Sequence, residues 1–328
     1  MKGLLITLKG GELAAKKELE GFELENLQIR EGCVLFDFED YEVLFQVCYY
    51  SQTAYRILLL DPIYDFLKEG MSFRVRGEHN ERAKILGSEI NEELKFKVDL
   101  NNPDIPLYYY NDHIGVDFTG DISKRDYRIF TNRHTLKGVA AAILLIEAGL
   151  EKGTKILDCF AQDGTIIIEA VHMLLGRSVR FYNWEDMNFI KFKCYEDFDF
   201  ESLFAKDEFE SDFELNATSP DLRNINAIKK NSKIAGVNKY ISFAKKEIEY
   251  LDQKFENEDV DLLVTYLPKL NLKQTMEFFH QIEFVAKKWV ILVDNKNSFI
   301  DNNYFSVENE KTLTMGNTKR YILWLKKI

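Results

Sequence analysis

The stretch Asp158-Cys159-Phe160-Ala161-Gln162-Asp163-Gly164-Thr165-Ile166 decides the fold of this chain. It follows a short run, Lys155 to Leu157, that predicts a strand, and it opens a helical pattern over Thr165–Leu175 that closes near Gly176. Gly164 lets the backbone of the turn approach a ligand, and the first turn of the helix offers free N–H groups. Such a turn is typical of the ligand-binding edge of a doubly wound sheet.

Strand and helix patterns alternate through the C-terminal half, as a mostly parallel sheet requires. A helix is predicted over Val139–Ala148 and ends at Gly149. Downstream of the central turn we predict strands at 213–217, 241–244, 260–265 and 289–293, with helices at 221–235 and 272–286. Two final strands, Tyr304–Glu310 and Lys319–Leu325, are joined by the hairpin signal Gly316-Asn317. The prediction is an α/β, Rossmann-like seven-stranded sheet with an antiparallel last strand.

The N-terminal half shows a different pattern, with two small units. The first predicts strands at 4–8 and 33–38, a helix at 12–20 and a second helix that leads to the apolar run 56–60. The second predicts strands at 73–76, 95–100 and 107–111 and a helix at 80–91. We therefore expect four regions: an N-terminal unit over 1–61, a second unit over 62–118, a linker over 119–138 and the main domain over 139–328.

Composition indicates a folded, soluble protein. The chain has 328 residues, 46% of them hydrophobic, which is enough for two or three cores. The longest apolar run, Val139 to Ile146, is far shorter than the ~20 residues that cross a bilayer, and the N-terminus lacks a signal-peptide core. The four cysteines form no C-x-x-C pair and have no histidine at ligand spacing. We expect a cytoplasmic protein with no metal, no disulfide and no membrane partner.

Charge is distributed unevenly along the chain. The net charge of −11 argues against a nucleic-acid partner, but the segment 196–214 alone carries nine acidic residues against one basic, a net of −8. Lys124–Lys137 has five basic residues against one acidic, a net of +4, which suits either a phosphate backbone or a solvated linker. The acidic segment also contains five phenylalanines. Its simplest interpretation is an inserted, acidic, half-buried surface helix.

Five segments, in order along the chain, carry a resemblance to a known family. They are Leu4-Leu5-Ile6-Thr7 to Leu19, Ser72-Phe73-Arg74-Val75-Arg76, Asp99 to Ile105, Asp117 to Arg128, and Thr135 to Ala141 with Asp158 to Ala170. Their order and spacing resemble the THUMP-domain-bearing tRNA methyltransferases of the guanine-N2 type. The resemblance implies a class I sheet that uses S-adenosylmethionine (SAM), preceded by an α+β module of a ferredoxin-like domain and a THUMP domain.

The same resemblance implies which residues bind cofactor and RNA. The cofactor residues would be Asp158, Phe160, Gln162, Gly164, Thr165, Ser219, Asp221 and Glu247. The family's THUMP unit grips tRNA, and A-form RNA is recognised largely through its backbone. The RNA contacts would be Arg74, Arg76, Arg82, Lys84, Lys124, Arg125, Arg128, Arg133 and Lys137. For each arginine a surface ion pair is the alternative, and Glu78, Glu81 and Glu89 are near enough in sequence to supply one.

The catalytic tetrapeptide of the resembled family is Asn/Asp-Pro-Pro-aromatic, which binds and stacks on a flipped base. The corresponding residues here are Tyr266, Leu267, Pro268 and Lys269, so only the proline is kept. Tyr266 could accept one hydrogen bond or stack, whereas Lys269 has no ring.

Two further departures affect the cofactor. Gln162 replaces the first glycine of the turn, and Ser219 replaces the carboxylate that binds the ribose. A neutral hydrogen bond is roughly half as strong as a charge-assisted one, so SAM binding is predicted to be weak or lost unless Asp221 compensates.

Three functions therefore remain open. The chain is either an active SAM-dependent tRNA guanine methyltransferase with divergent motifs, or a weakened or inactive relative that still binds tRNA or another structured RNA. The third alternative is a scaffold that docks a protein partner through the acidic segment 196–214.

Overall fold

The structure, a computed structural model, describes residues 1–63, 66, 70–132, 135–204, 213–296 and 303–328, apart from the side chain of Leu94. Two sheets organise these residues, one of eight strands and one of seven. Within the described ranges no helix has the length and apolar character that a bilayer crossing needs.

The N-terminal sheet is built from residues 2–117. Its helices are α1 (Glu12–Leu19), α2 (Tyr41–Tyr50) and α3 (Asn80–Leu94). Its strands are β1 (Lys2–Ile6), β2 (Glu25–Arg30), β3 (Cys33–Asp37), β4 (Arg56–Asp61), β5 (Ser72–Gly77), β6 (Lys97–Val98), β7 (Ile105–Tyr110) and β8 (His113–Asp117). The order is β2-β3-β1-β4-β8-β7-β5-β6. Because β4 pairs with β8, the two predicted N-terminal units share one sheet, and the division at residue 61 stays a prediction.

The sequence patterns of this half missed β2 and β8 and overextended β6. Strand β2 is mostly exposed on both faces, so it has no alternation to recognise. Strand β6 covers two residues instead of the predicted 95–100. Lys95 turns the chain at a left-handed φ of 53° after α3, and the Asp99 carboxylate accepts from the backbone N–H groups of Asn101 and Asn102. A local turn therefore replaces the ends of that strand.

The C-terminal sheet confirms the predicted α/β, Rossmann-like class. Its strands are β9 (Ile156–Asp158), β10 (Leu215–Ser219), β11 (Ile241–Lys245), β12 (Leu262–Tyr266), β13 (Trp289–Val293), β14 (Phe305–Met315) and β15 (Thr318–Lys327), in the order β11-β10-β9-β12-β13-β15-β14. Its longer helices are α4 (Gly138–Ala148), α5 (Thr165–Leu175), α7 (Leu222–Ile234) and α8 (Leu272–Val285). Strand β15 runs antiparallel to β13, and Gly316 turns the final hairpin at a φ of 61°.

The segment between α5 and β10 ties the two sheets together. Short 3-10 helices and the helix α6 (Phe200–Phe204) carry aromatic rings into the core of the N-terminal module. The ring of Phe189 stacks on Phe45 at 4.9 Å, and that of Phe204 stacks on Tyr49 at 4.1 Å. Phe200 and Phe204 are each 5% exposed.

This packing corrects the predicted half-buried surface helix over the acidic segment. In the described part of that segment, Phe200 and Phe204 of the short helix α6 lie in the core, whereas Phe198 and Phe213 are half-buried. Docking of a protein partner through the acidic segment stays a prediction. Residues 205–212 of the segment lie outside the described residues.

Candidate functional site

The central turn begins at the carboxyl end of β9, where Asp158 is almost fully buried. Its Oδ1 accepts from Thr265 Oγ1 of β12 at 2.6 Å and from the backbone N–H of Phe160 at 3.2 Å. Burial raises the pKa of Asp158 to about 7. Gly164 has a φ of 84°, and a Cβ there would lie 2.9 Å from Ile228 Cγ2 on α7. Only glycine fits this close approach.

A second carboxylate closes the turn. Asp163 is 1% exposed, and its Oδ1 accepts from the Thr165 hydroxyl at 2.7 Å and from the Thr165 N–H at 3.3 Å. Arg128 lies 3.4 Å from the other oxygen. Burial raises the pKa of Asp163, although Thr165 and Arg128 oppose the shift. The carboxylate therefore binds the first turn of α5 and the linker.

Asn231 fastens this turn to the linker. Its Nδ2 donates to the backbone oxygen of Asp163 at 2.9 Å and to that of Phe130 at 3.0 Å. Its Oδ1 accepts from the Phe130 N–H at 3.0 Å. The side chain is fully buried on α7, so these bonds hold the linker firmly against the cofactor turn.

A network of side-chain amides spans the crevice between β9 and β10. Asn132 Nδ2 donates to Gln162 Oε1 at 3.2 Å and to Asn224 Oδ1 at 2.9 Å. Asn224 Nδ2 in turn donates to Ser219 Oγ at 3.0 Å. This crevice, outside the carboxyl ends of neighbouring parallel strands, is where folds of this kind bind their ligands. The two substituted positions, Gln162 and Ser219, are therefore joined through protein groups.

The cavity beside this network is small. Its lining includes Asp158, Phe160, Gln162, Thr165 and Tyr266, and its volume is about 10 Å³. That is roughly the space one water molecule needs. A ligand as large as SAM does not fit in this cavity as it stands, but Asn132, Gln162 and Asn224 also line a larger pocket of about 630 Å³ that includes Asp221.

The remaining predicted cofactor residues are separate from this cavity. The Asp221 carboxylate caps α7 by accepting from the Arg223 N–H at 2.8 Å, and it pairs with Arg223 Nη2 at 2.7 Å. The hydrogen bonds from Arg223 lower the pKa of Asp221. Glu247 is exposed after β11. Asp221 thus binds an exposed guanidinium group, and its compensation for the missing ribose acceptor stays a prediction.

The tetrapeptide after β12 presents no short acceptor. The Tyr266 hydroxyl donates to the Asp294 carboxylate at 2.8 Å, and the guanidinium of Arg320 lies 4.7 Å from the centre of its ring. Burial raises the pKa of Tyr266 to about 12. Leu267 is 6% exposed in the core, Pro268 is half-buried and Lys269 is exposed. The Tyr266 hydroxyl donates its proton to Asp294, so its oxygen keeps a lone pair that can accept, and its role towards a base stays a prediction.

The linker residues predicted to contact RNA divide into two groups. Arg125 is wrong as an RNA contact, because it is 6% exposed and its Nε lies 2.8 Å from Glu169 Oε1. Arg128 is held by Asp163, as described above. Lys124 and Lys137 are exposed, and the Lys137 ammonium lies 5.4 Å from the ring centre of Tyr55. Arg133 lies outside the described residues.

The predicted contacts of the second N-terminal unit are mostly at the surface. Arg76, Arg82 and Lys84 are exposed on β5 and α3. Arg74 is half-buried, and its Nη1 donates to the backbone oxygen of Leu100 at 2.8 Å. The RNA role of the exposed residues stays a prediction.

Sequence reasoning missed the residues that fill the crevice. Asn132, Asn224, Asn231 and Thr265 belong to no cofactor motif, and each acts through a partner far away in sequence. The only local signal was the presence of three asparagines in α7, since the linker contains Asn132 alone.

The fold defines the class of the C-terminal domain. A seven-stranded sheet of this order, with an antiparallel hairpin at one edge and a glycine-containing turn after the central strand, is the class I methyltransferase architecture. SAM is the methyl donor of this class.

Sequence comparison narrows the class. Residues 125–281, just under half of the chain, match the family model "UPF0020: RMKL-like, methyltransferase domain". This stretch is similar to RMKL-like methyltransferase domains. The ribosomal RNA large subunit methyltransferase K/L of Buchnera aphidicola subsp. Schizaphis graminum is 22% identical over 95% of this chain. That of Buchnera aphidicola subsp. Acyrthosiphon pisum is 23% identical over 89% of this chain. The aligned parts cover 52% and 49% of those proteins, so the chain spans about half the length of these curated relatives.

Solved structures share the whole fold. TrmN from Thermus thermophilus aligns over 100% of both chains with a TM-score of 0.70 and 17% identity. SMU.472, complexed with S-adenosylhomocysteine (SAH), covers 98% of this chain and 97% of its own with a TM-score of 0.75 and 16% identity. At these identities the likeness establishes the common fold of the N-terminal module and the methyltransferase domain together.

Proposed function

We propose that this chain is an RNA-binding member of the SAM-dependent RNA methyltransferases in which cofactor binding and methyl transfer are weakened. The observation that carries the proposal is the amide network of Asn132, Gln162, Asn224 and Ser219 across the cofactor crevice. SAM is the cofactor that the domain family uses, and SMU.472, which shares the fold, binds its product SAH.

Weak cofactor binding follows from the two substituted positions. A cofactor that approaches the turn meets the side chain of Gln162, which is bound to Asn132 at 3.2 Å. It then finds the Ser219 hydroxyl, already bound by Asn224 at 3.0 Å, where a carboxylate would hold the ribose. Loss of one charge-assisted hydrogen bond costs about 1.5–3 kcal/mol, or roughly one to two decades in affinity.

Weak transfer follows from the tetrapeptide. Transfer to an exocyclic amine needs a positioned acceptor for the amine protons and a surface that orients the base. Tyr266 is bound to Asp294 and covered by Arg320, Leu267 is part of the core, and Lys269 has no acceptor atom. The side chains of this loop therefore offer no amide or carboxylate acceptor to an exocyclic amine.

RNA is the proposed partner because the relatives are named for it. The K/L proteins are called ribosomal RNA methyltransferases, and the resemblance of the N-terminal module to THUMP-bearing enzymes suggests tRNA, with guanine as the modified base in an active relative. Exposed Arg76, Arg82, Lys84, Lys124 and Lys137 are the proposed backbone contacts.

Calorimetric titration with SAH tests the cofactor part of the proposal. The unmodified chain should bind SAH weakly, and Gln162→Gly with Ser219→Asp should tighten binding by about one to two decades, because the turn opens and the ribose regains a charged acceptor. Gln162→Gly alone is the control, since it opens the turn equally without adding an acceptor. Tight SAH binding by the unmodified chain, with methylation of tRNA from labelled SAM, would show an active enzyme and overturn the proposal.

A further inference from the structure

The segment 222–246 differs in charge from the rest of this acidic protein. It contains seven basic residues and no acidic one, within a chain whose net charge is −11. The basic residues are Arg223, Lys229, Lys230, Lys233, Lys239, Lys245 and Lys246. A net of +7 in 25 residues exceeds the +4 of the linker, and it leaves −18 for all other residues. Such a local field attracts polyanions whatever the overall charge.

Helix α7 presents part of this charge to solvent. Its inner face buries Ile225, Ile228 and Asn231, and the helix packs on β10 and β11 at the edge of the sheet. Lys229, Lys230 and Lys233 are exposed on it. Within the part of the chain that the structure describes, none of these three lysines forms an ion pair with a carboxylate.

A pocket of about 630 Å³ opens at the N-terminal half of this helix. Phe130 on the linker forms one wall and is 39% exposed. The ammonium of Lys230 lies 4.4 Å from the centre of the Phe130 ring. The remaining lining includes the amides of Asn132, Gln162, Asn224 and Asn226 and the Asp221–Arg223 ion pair, so the pocket adjoins the cofactor crevice. The pocket thus combines an aromatic surface, a cation and several hydrogen-bonding groups.

The Phe130 wall is rigid at its backbone. Both backbone polar groups of Phe130 are bonded to Asn231 at 3.0 Å, and Asn231 is fully buried. An aromatic ring on a fixed backbone loses little conformational entropy when a ligand stacks on it.

We propose that this pocket binds one base of an unpaired RNA strand and that the strand's phosphates lie along Lys229, Lys230 and Lys233. Proteins that bind single strands combine aromatic stacking surfaces with a basic groove that follows the backbone. Unpaired bases also present the edges that side-chain amides can read. This surface is distinct from the exposed cations of the linker and the N-terminal module. It rests on the RNA-binding part of the proposed function, and it needs neither SAM nor methyl transfer.

Fluorescence anisotropy with a labelled oligouridylate tests the phosphate contacts. Lys229→Ala, Lys230→Ala and Lys233→Ala combined should weaken binding and flatten the slope of log K against log salt by about 2, since each phosphate contact to a single strand contributes about 0.7. The control triple, Lys273→Ala, Lys319→Ala and Lys326→Ala, removes the same charge from exposed sites. An equal change in both triples would overturn the proposal, because net charge alone would then explain binding.

A second probe tests the base pocket. Phe130→Ala should weaken oligouridylate binding about tenfold and leave binding of an abasic ribose-phosphate oligomer of equal length unchanged. Equal losses for both probes, or no loss for either, would overturn the assignment of the pocket to a base. Preferential binding of an acidic peptide over both oligomers would assign the surface to a protein partner and reject RNA. SAH titration of Phe130→Ala is run in parallel. The SAH affinity tests the cofactor proposal and the oligouridylate affinity tests this one, so the failure of either proposal can be told from the failure of the other.

Discussion

Arg125 Nε lies 2.8 Å from Glu169 Oε1, and neither side chain is more than 1% exposed. Glu169 also accepts from the Tyr127 hydroxyl at 2.6 Å and from Gln52 Nε2 at 2.9 Å. The Arg125 guanidinium donates a further bond to the Gln52 backbone oxygen at 2.6 Å. The ion pair therefore joins the linker, α5 of the methyltransferase domain and the loop before β4 of the N-terminal module.

Arg125→Ala should lower the free energy of unfolding by about 3–5 kcal/mol, because it leaves the Glu169 carboxylate buried without its counter-ion. Urea denaturation measures the loss. Lys124→Ala is the matched control, since Lys124 is exposed and such changes are usually within about 0.5 kcal/mol. A stable Arg125→Ala variant with reduced RNA affinity would restore Arg125 as an RNA contact.

Gly138→Ala should destabilise the same junction. A Cβ at Gly138 would lie 2.6 Å from Arg125 Cγ and 2.7 Å from Glu169 Oε1, and overpacking of this kind costs about 1–3 kcal/mol. Gly87→Ala is the control within α3, where a Cβ meets Val75 Cγ2 at an ordinary 3.8 Å. That change should stabilise the helix by about 0.5–1 kcal/mol. The two melting temperatures should move in opposite directions, and parallel shifts would contradict the packing described here.

Asp158→Asn should stabilise the protein at neutral and alkaline pH. Burial raises the pKa of Asp158 to about 7, so the folded protein keeps a proton that the unfolded chain releases near about pH 4. The free energy of unfolding therefore falls as pH rises between these two values. Asparagine keeps an acceptor for the Thr265 hydroxyl without the charge. Urea titrations should show a stability difference that is small below about pH 4 and grows towards pH 7; a constant difference would exclude this titration.

Phe189→Ala should weaken the coupling of the two sheets. Phe189 is fully buried, stacks on Phe45 at 4.9 Å and donates its N–H to the Phe118 oxygen at 2.9 Å. Losing a buried phenylalanine costs about 3–5 kcal/mol. Because the ring comes from the C-terminal half and fills the N-terminal core, calorimetry should resolve two unfolding transitions. Phe181→Ala, at a ring 41% exposed, should leave a single transition, and identical behaviour of the two variants would refute the coupling.

The main domain could be predicted because its signals are local. Strand β13 matches its predicted bounds, and helices α5, α7 and α8 agree with theirs to within one residue at each end. Buried strands separated by amphipathic helices produce two distinct periods, and glycine marks the ends of α4 and α5. Strands β2 and β8 were missed because pairing with neighbours, which a sequence window does not contain, stabilises them.

The site could be predicted only as a set of positions. The turn at Asp158, the loss of glycine at Gln162 and the loss of a carboxylate at Ser219 were all evident from the sequence. That Asn132 and Asn224 join Gln162 to Ser219 was not, because the linker, the turn and α7 meet only after the sheet forms.

The sequence by itself determined the α/β class, the central turn and the altered cofactor and tetrapeptide positions, since each depends on residues adjacent in the chain. Only the tertiary structure decided that Arg125 is a buried junction residue, that Tyr266 is bound to Asp294, and that Phe200 and Phe204 fill a core. Charge and hydropathy describe what a side chain can do. Which group becomes the hydrogen-bond or packing partner of that side chain depends on residues that folding brings together from distant positions.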